Sequence, residues 1–191
     1  MKAPVDFYFD FSSPYGYLAS QKIEALAAKH GRGVTWRPML LGAAFKVSGV
    51  QPLVNVPLKG EYSKRDFLRS ARFYEVPFRV PDPFPISTLH ACRAFYAAPV
   101  DVSVRLAKSL YSAYFTKNVN IGEVENVLKI AGDFGLKPDL NDQFIKDKTR
   151  AEVEAAIAKG VFGSPYIVVD GEPFWGMDRF EQLDRWMKAP F

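Results

Sequence analysis

Hydrophobic and polar positions change period several times along this chain, and each change predicts an element. From Val5 to Phe11 apolar and acidic residues alternate and aromatics are frequent, the two-residue period of a strand. After Ser12-Ser13-Pro14 the period lengthens. Tyr15, Leu18, Ala19, Ile23, Leu26 and Ala27 recur at three- and four-residue steps and share one helical face. Lys29 and His30 fall in the last turn and Gly31 lies just past it, a stop signal. Val34 to Met39 reads as a second strand, so the chain is expected to open with a parallel βαβ unit.

Residues 40–59 break the pattern. Gly42, Gly49, Pro52, Pro57 and Gly60 punctuate small apolar residues, which predicts a loop with one helical turn around Ala43 to Val47. Helical periods then dominate: Glu61 to Tyr74, Ser87 or Thr88 to Ala97, Asp101 to Thr116, Glu123 to Phe134, and one or two helices within Leu140 to Lys159. Val76 to Pro85, with four prolines, predicts an extended connector. The end returns to strands at Tyr166 to Val169 and Pro173 to Trp175. Asp170-Gly171 between them is a primed-turn signal, and a last helix opens at Met177 or Asp178 and runs through Trp186. The fold class is therefore α/β, in the order βαβ, helical insertion, ββα. No Gly- or Ser-rich linker separates independent domains.

Composition narrows the function classes. Of 191 residues, 48% are hydrophobic and 24% charged, which suits a globular domain and not a disordered one. The aromatic share of 15% supplies a large apolar payload and material for a flat-walled pocket. The net charge of +4 is spread out, and Asp66 and Glu75 dilute the densest basic stretch, Arg65, Arg69 and Arg72. A nucleic-acid partner is not expected, because no basic stripe stands out. A lone Cys92 cannot form an intramolecular disulfide. No signal-peptide pattern and no apolar run of roughly 18 residues occurs, so a cytoplasmic protein without membrane association is expected.

Two short segments could carry chemistry. Ser13 sits at the strand-to-helix junction in Asp10-Phe11-Ser12-Ser13-Pro14-Tyr15. It reads either as a plain helix cap or as a hydroxyl beside a helix start that favours an anion. No general base lies nearby in sequence, which disfavours a serine hydrolase. Ser164-Pro165 leads into a strand, either as a trans proline opening an edge strand or as a cis proline that presents the backbone of Ser164.

Together these segments carry a resemblance. Phe9-Asp10-Phe11-Ser12-Ser13-Pro14-Tyr15, Val161-Phe162-Gly163-Ser164-Pro165 and Trp175-Gly176-Met177-Asp178-Arg179-Phe180 resemble the signatures of 2-hydroxychromene-2-carboxylate isomerases. Those enzymes stand with kappa-class glutathione transferases among DsbA-like thioredoxin folds. The resemblance spans the chain and implies a thioredoxin-like fold made of residues 1–40 and 160–191, a large all-helical insertion at 60–159, and a connecting loop at 41–59 near the active site. Redox relatives carry a Cys-X-X-Cys where this chain has Ser13, so a disulfide oxidoreductase is disfavoured.

The resemblance also implies roles. Glutathione is the expected cofactor. Ser13 would hydrogen-bond its sulfur and favour the thiolate. Ser164, before cis Pro165, would pair through its backbone with the cysteinyl part. Trp175, Gly176, Met177 and Asp178 would hold the γ-glutamyl end. In the isomerases the thiolate adds to the conjugated double bond, the ring opens, rotation follows, and glutathione is returned. Lys46, Asn55 and Phe84 would meet a small aromatic carboxylate substrate. A homodimer is expected by the same resemblance. The rivals are a kappa-like transferase that releases a conjugate and a non-catalytic glutathione- or peptide-binding module. Neither histidine is expected to act, and no His/Cys/Asp/Glu spacing suggests a metal.

Overall fold

The computed structural model describes residues 2–191. A four-stranded sheet holds β1 (Val5–Phe9), β2 (Val34–Pro38), β3 (Tyr166–Val169) and β4 (Glu172–Trp175) in the order β2-β1-β3-β4. β1 runs parallel to β2 with Phe7 opposite Trp36, and antiparallel to β3 with Tyr8 opposite Tyr166. β3 and β4 form the expected hairpin. Asp170 and Gly171 both take positive φ, 52° and 87°, as a primed turn requires.

The expected first helix is two helices, α1 (Pro14–Ser20) and α2 (Ile23–Lys29). Ser20 Oγ donates to the Tyr17 carbonyl at 2.6 Å, a local bond that bends helices. Gln21 N–H and Lys22 N–H then bond three residues back, to Leu18 and Ala19. The apolar period continues across the break because Leu18, Ile23 and Leu26 still face one core.

The loop expected over residues 40–59 contains a full helix, α3 (Leu41–Ser48), and a single 3-10 turn over Leu53–Asn55. Gly49, read as a loop residue, ends α3 at φ 71° and donates its N–H to the Phe45 carbonyl. The helical insertion follows as α4 (Lys59–Phe73), α5 (Leu89–Ala97), α6 (Val100–Phe115), α7 (Val124–Gly132) and α8 (Gln143–Ala158). A 3-10 turn over Met177–Arg179 then leads into α9 (Phe180–Lys188). Among the described residues no helix is long and apolar enough to cross a membrane.

Most of the aromatic share goes into the core between sheet and insertion. Phe9 packs on Phe7, Phe11, Trp36, Phe95 and Tyr111, with ring centroids 5.1–6.3 Å apart. Phe7, Phe9, Phe11, Tyr111, Tyr114 and Phe115 are all fully buried, each worth roughly 1.5–3 kcal/mol of hydrophobic stabilisation or somewhat more. This block fixes the C-terminal end of β1 against α6, and the candidate site begins at that end.

Candidate active site

Ser13 caps a helix and ties it to a distant loop. Its Oγ accepts the Gly16 N–H at 3.0 Å and so caps α1, with Pro14 at the first helical position. The same hydroxyl donates its single proton to the Ser164 carbonyl at 2.8 Å, across 151 residues of chain. Both residues are buried, at 5% and 9% exposure. The Ser164–Pro165 peptide is cis, which decides between the two readings of that segment, and the Ser164 N–H bonds no other described residue. Two further cis prolines, Pro83 and Pro85, lie in the connector between α4 and α5, where the sequence suggested only extended chain.

Asp10, which the sequence placed in the motif without a role, joins five segments. Its carboxylate accepts the Ser12 N–H at 2.7 Å, the Leu41 N–H at 2.7 Å and the Thr88 hydroxyl at 2.8 Å. Its N–H donates to Ser164 Oγ at 3.0 Å. Its carbonyl accepts the Ser13 N–H and the Tyr111 hydroxyl, both at 2.9 Å. Burial pushes its pKa up, and the three hydrogen bonds to the carboxylate oppose that shift. A buried acid with every polar atom engaged holds the Ser13 turn, the 164 loop, α3, α5 and α6 at fixed separations.

A cleft of about 250 Å³ opens beside Ser13. Asp10, Ser12 and Ser13 are its polar lining. Pro14, Tyr15, Leu41, Phe45, Pro52, Leu53, Val54, Phe67, Phe84, Pro85 and Ile86 make most of the rest. Tyr15 packs edge-on against Phe67 at 5.1 Å, and Phe67 edge-on against Phe84 at 6.1 Å, so one wall is built of aromatic rings. The Tyr15 hydroxyl donates to Asp66, which also pairs with Arg69, and this ties α1 to α4. Phe84 therefore lines the cleft. Lys46 and Asn55 are exposed and do not line it. Their helix and turn present Phe45, Pro52, Leu53 and Val54 to it instead. Among the described residues no basic side chain lines the cleft.

On the other side of Ser13 lies a strip made by the 164 loop and the end of β4. The Gly176 N–H donates to the Pro165 carbonyl at 3.0 Å, and Gly176 has φ 99°. Asp178 is mostly exposed, and among the described residues its carboxylate pairs only with Arg179, at 3.4 Å. Arg179 thus braces the motif only loosely. The N–H groups of Met177 and Asp178 bond no other described residue, as expected at a helical start. Trp175 is 56% exposed and rests on Gly163, where an added Cβ would lie 2.2 Å from its Nε1. Phe162 packs edge-on against the same indole at 4.9 Å. Met177 is buried beneath the strip, so it contributes its backbone and not its side chain.

Cys92 is fully buried, and burial pushes its pKa well up, so it offers no thiolate. His30 bonds Asp184 at 2.7 Å and joins α2 to α9, away from the cleft.

Residues 4–188 match the family described as DSBA-like thioredoxin domain. The 2-hydroxychromene-2-carboxylate isomerase of Sphingobium xenophagum is 31% identical over 98% of this chain and 99% of its own length. Glutathione S-transferase kappa 1 of Caenorhabditis elegans is 28% identical over 97% and 91%. A solved 2-hydroxychromene-2-carboxylate isomerase structure superposes with a TM-score of 0.80 at 25% identity, covering 96% of this chain and 94% of that one. The chain belongs to the DsbA-like thioredoxin family, within the group of enzymes that holds the 2-hydroxychromene-2-carboxylate isomerases and the kappa glutathione transferases.

Proposed function

We propose that the protein is a glutathione-dependent isomerase interconverting 2-hydroxychromene-2-carboxylate and trans-o-hydroxybenzylidenepyruvate. The observation that carries this reading is the position of the Ser13 hydroxyl, between a peptide-like strip and an aromatic-walled cleft. The donor set of the strip fits glutathione. Ser164 offers one N–H and one carbonyl, which suits an extended peptide paired in the antiparallel manner. Asp178 offers a carboxylate to an ammonium, and the Met177 and Asp178 N–H groups suit a carboxylate. Glutathione, when bound, supplies the sulfur nucleophile.

The chain's own residues do the rest. Ser13 donates a hydrogen bond to the sulfur, keeping its own proton, and so favours the ionised form. Tyr15, Phe67 and Phe84 hold a flat ring against that sulfur and exclude water from it. Lys46 follows the wall residue Phe45 and Asn55 follows the wall residue Val54, and on this reading these two exposed side chains meet the substrate carboxylate from outside the cleft. The assembly is a homodimer on this reading.

A kappa-like transferase is the second reading, and one observation favours it: the cleft lacks a basic side chain and would accept an uncharged electrophile as readily. Ultraviolet absorbance of 2-hydroxychromene-2-carboxylate, with free thiol followed in parallel, separates the two. Glutathione-dependent isomerisation without thiol loss supports the isomerase. Stoichiometric thiol loss replaces it with the transferase, and no reaction with either substrate class removes both.

A further inference from the structure

Ser13 has one hydroxyl proton, and the protein itself holds it. The Oγ accepts the Gly16 N–H, so its proton points the other way, onto the Ser164 carbonyl at 2.8 Å. While that bond stands, the hydroxyl cannot donate to a sulfur. Turning the proton away would leave that carbonyl without its one described donor, in a residue only 9% exposed. The Ser164 hydroxyl, whose Oγ accepts the Asp10 N–H, makes no described bond to that carbonyl.

We infer that the Ser164 carbonyl is a proton keeper, and that it releases the Ser13 hydroxyl only when a ligand amide N–H takes the hydroxyl's place on that oxygen. The inference rests on the proposed pairing of Ser164 with the cysteinyl residue of glutathione. The arriving N–H satisfies the carbonyl, and the Ser13 hydroxyl turns about its Cβ–Oγ bond while its Oγ keeps the Gly16 N–H. The hydroxyl then donates to the sulfur, and the thiol's own proton leaves to solvent. The carbonyl could accept two donors at once, but Ser13 cannot donate twice, so the exchange sets when thiolate stabilisation begins. The chemical class activated is then a thiol whose cysteinyl nitrogen bears a hydrogen. A small thiol lacking an amide gains little from the same serine.

The test uses glutathione and its depsipeptide analogue, in which an ester oxygen replaces the γ-glutamyl–cysteinyl N–H. Each is bound at saturation to the wild-type protein and to Ser13→Ala, and thiolate absorbance near 240 nm is titrated against pH. Each thiol is referred to its own value free in solution. On the wild type, glutathione should show a raised ionisation constant and the depsipeptide a gain about tenfold smaller. On Ser13→Ala the two ligands should behave alike, because there is no hydroxyl to release. Equal gains on the wild type overturn the inference while leaving the thiolate role of Ser13 standing. A ligand difference that persists in Ser13→Ala overturns it as well. So does failure of the depsipeptide to bind at about a hundredfold the glutathione Kd, since one lost hydrogen bond cannot cost more. If glutathione itself gains nothing on the wild type, the proposed function fails first.

Discussion

A Cβ placed on Gly16 would stand 2.6 Å from Ser164 Oγ. The first turn of α1 and the cis-proline loop are therefore closer than any side chain permits. That closeness lets Ser13 reach the Ser164 carbonyl. Tyr111 Oη, 2.8 Å from the same Cβ position, closes the third side. Gly16 owes its identity to this approach and not to its backbone angles, since it is an ordinary helical residue.

Gly16→Ala is therefore expected to push α1 from the 164 loop. The gain in helix propensity is about 1 kcal/mol, and forced displacement of buried neighbours costs about 1–3 kcal/mol. Denaturant midpoints should fall or at best stay level, while turnover falls at least tenfold because the Ser13–Ser164 spacing changes. A variant that is more stable and fully active would show that this approach does not matter.

Asp10→Asn replaces one acceptor oxygen with an amide that can only donate. Either the Leu41 N–H or the Ser12 N–H then loses its acceptor inside the protein, at about 1–3 kcal/mol. Urea unfolding should show that loss, with turnover falling as α3 and the Ser13 turn loosen. Unchanged stability would mean the carboxylate's bonds to Ser12 and Leu41 are dispensable.

The Tyr15–Asp66 bond gives a pH signature. Burial pushes the Asp66 carboxyl up, but hydrogen bonds from Tyr15 and Arg69 more than offset this and hold it below its ordinary value. A carboxyl depressed in the fold adds stability above its unfolded pKa, and that stability is lost as pH falls through the folded pKa. Tyr15→Phe should therefore cost about 1–2 kcal/mol at neutral pH. The gap from wild type should close below about pH 4. A gap independent of pH would place the loss in packing against Phe67 instead.

Phe84→Ala removes one end of the aromatic wall without touching the strip. KM for a planar aromatic electrophile is expected to rise about tenfold, with the glutathione Kd unchanged. If both constants move together, Phe84 supports the whole site and not the cleft alone.

The sequence was most legible where period and punctuation agree. The Val5–Phe9 strand, the Asp-Gly hairpin and the Ser13 cap follow from alternation, turn chemistry and capping. The break after Ser20 was hidden because the apolar stripe runs on through it. The α3 helix was hidden because its glycines resemble loop residues, although Gly49 is a cap. The cleft depends on contacts between segments far apart in the chain, such as Phe67 with Phe84 and Asp10 with Thr88, and no local pattern reports them. Asp10 could have been suspected, since an acid at the end of an otherwise aromatic strand must be satisfied by something. Lys46 and Asn55 have the chemistry for a carboxylate, but α3 and the 3-10 turn after it present their neighbours Phe45 and Val54 to the cleft.

The central claim is that Ser13 stabilises the glutathione thiolate, and titration of the bound thiol tests it most directly. With wild-type protein the thiolate absorbance should appear at least one pH unit below its value for free glutathione, near 8.5 for an ordinary thiol. With Ser13→Ala it should return most of the way, while the Kd measured at low pH changes less than threefold. Identical titrations for the two proteins, each with glutathione bound, would contradict the account and leave Ser13 as a helix cap alone.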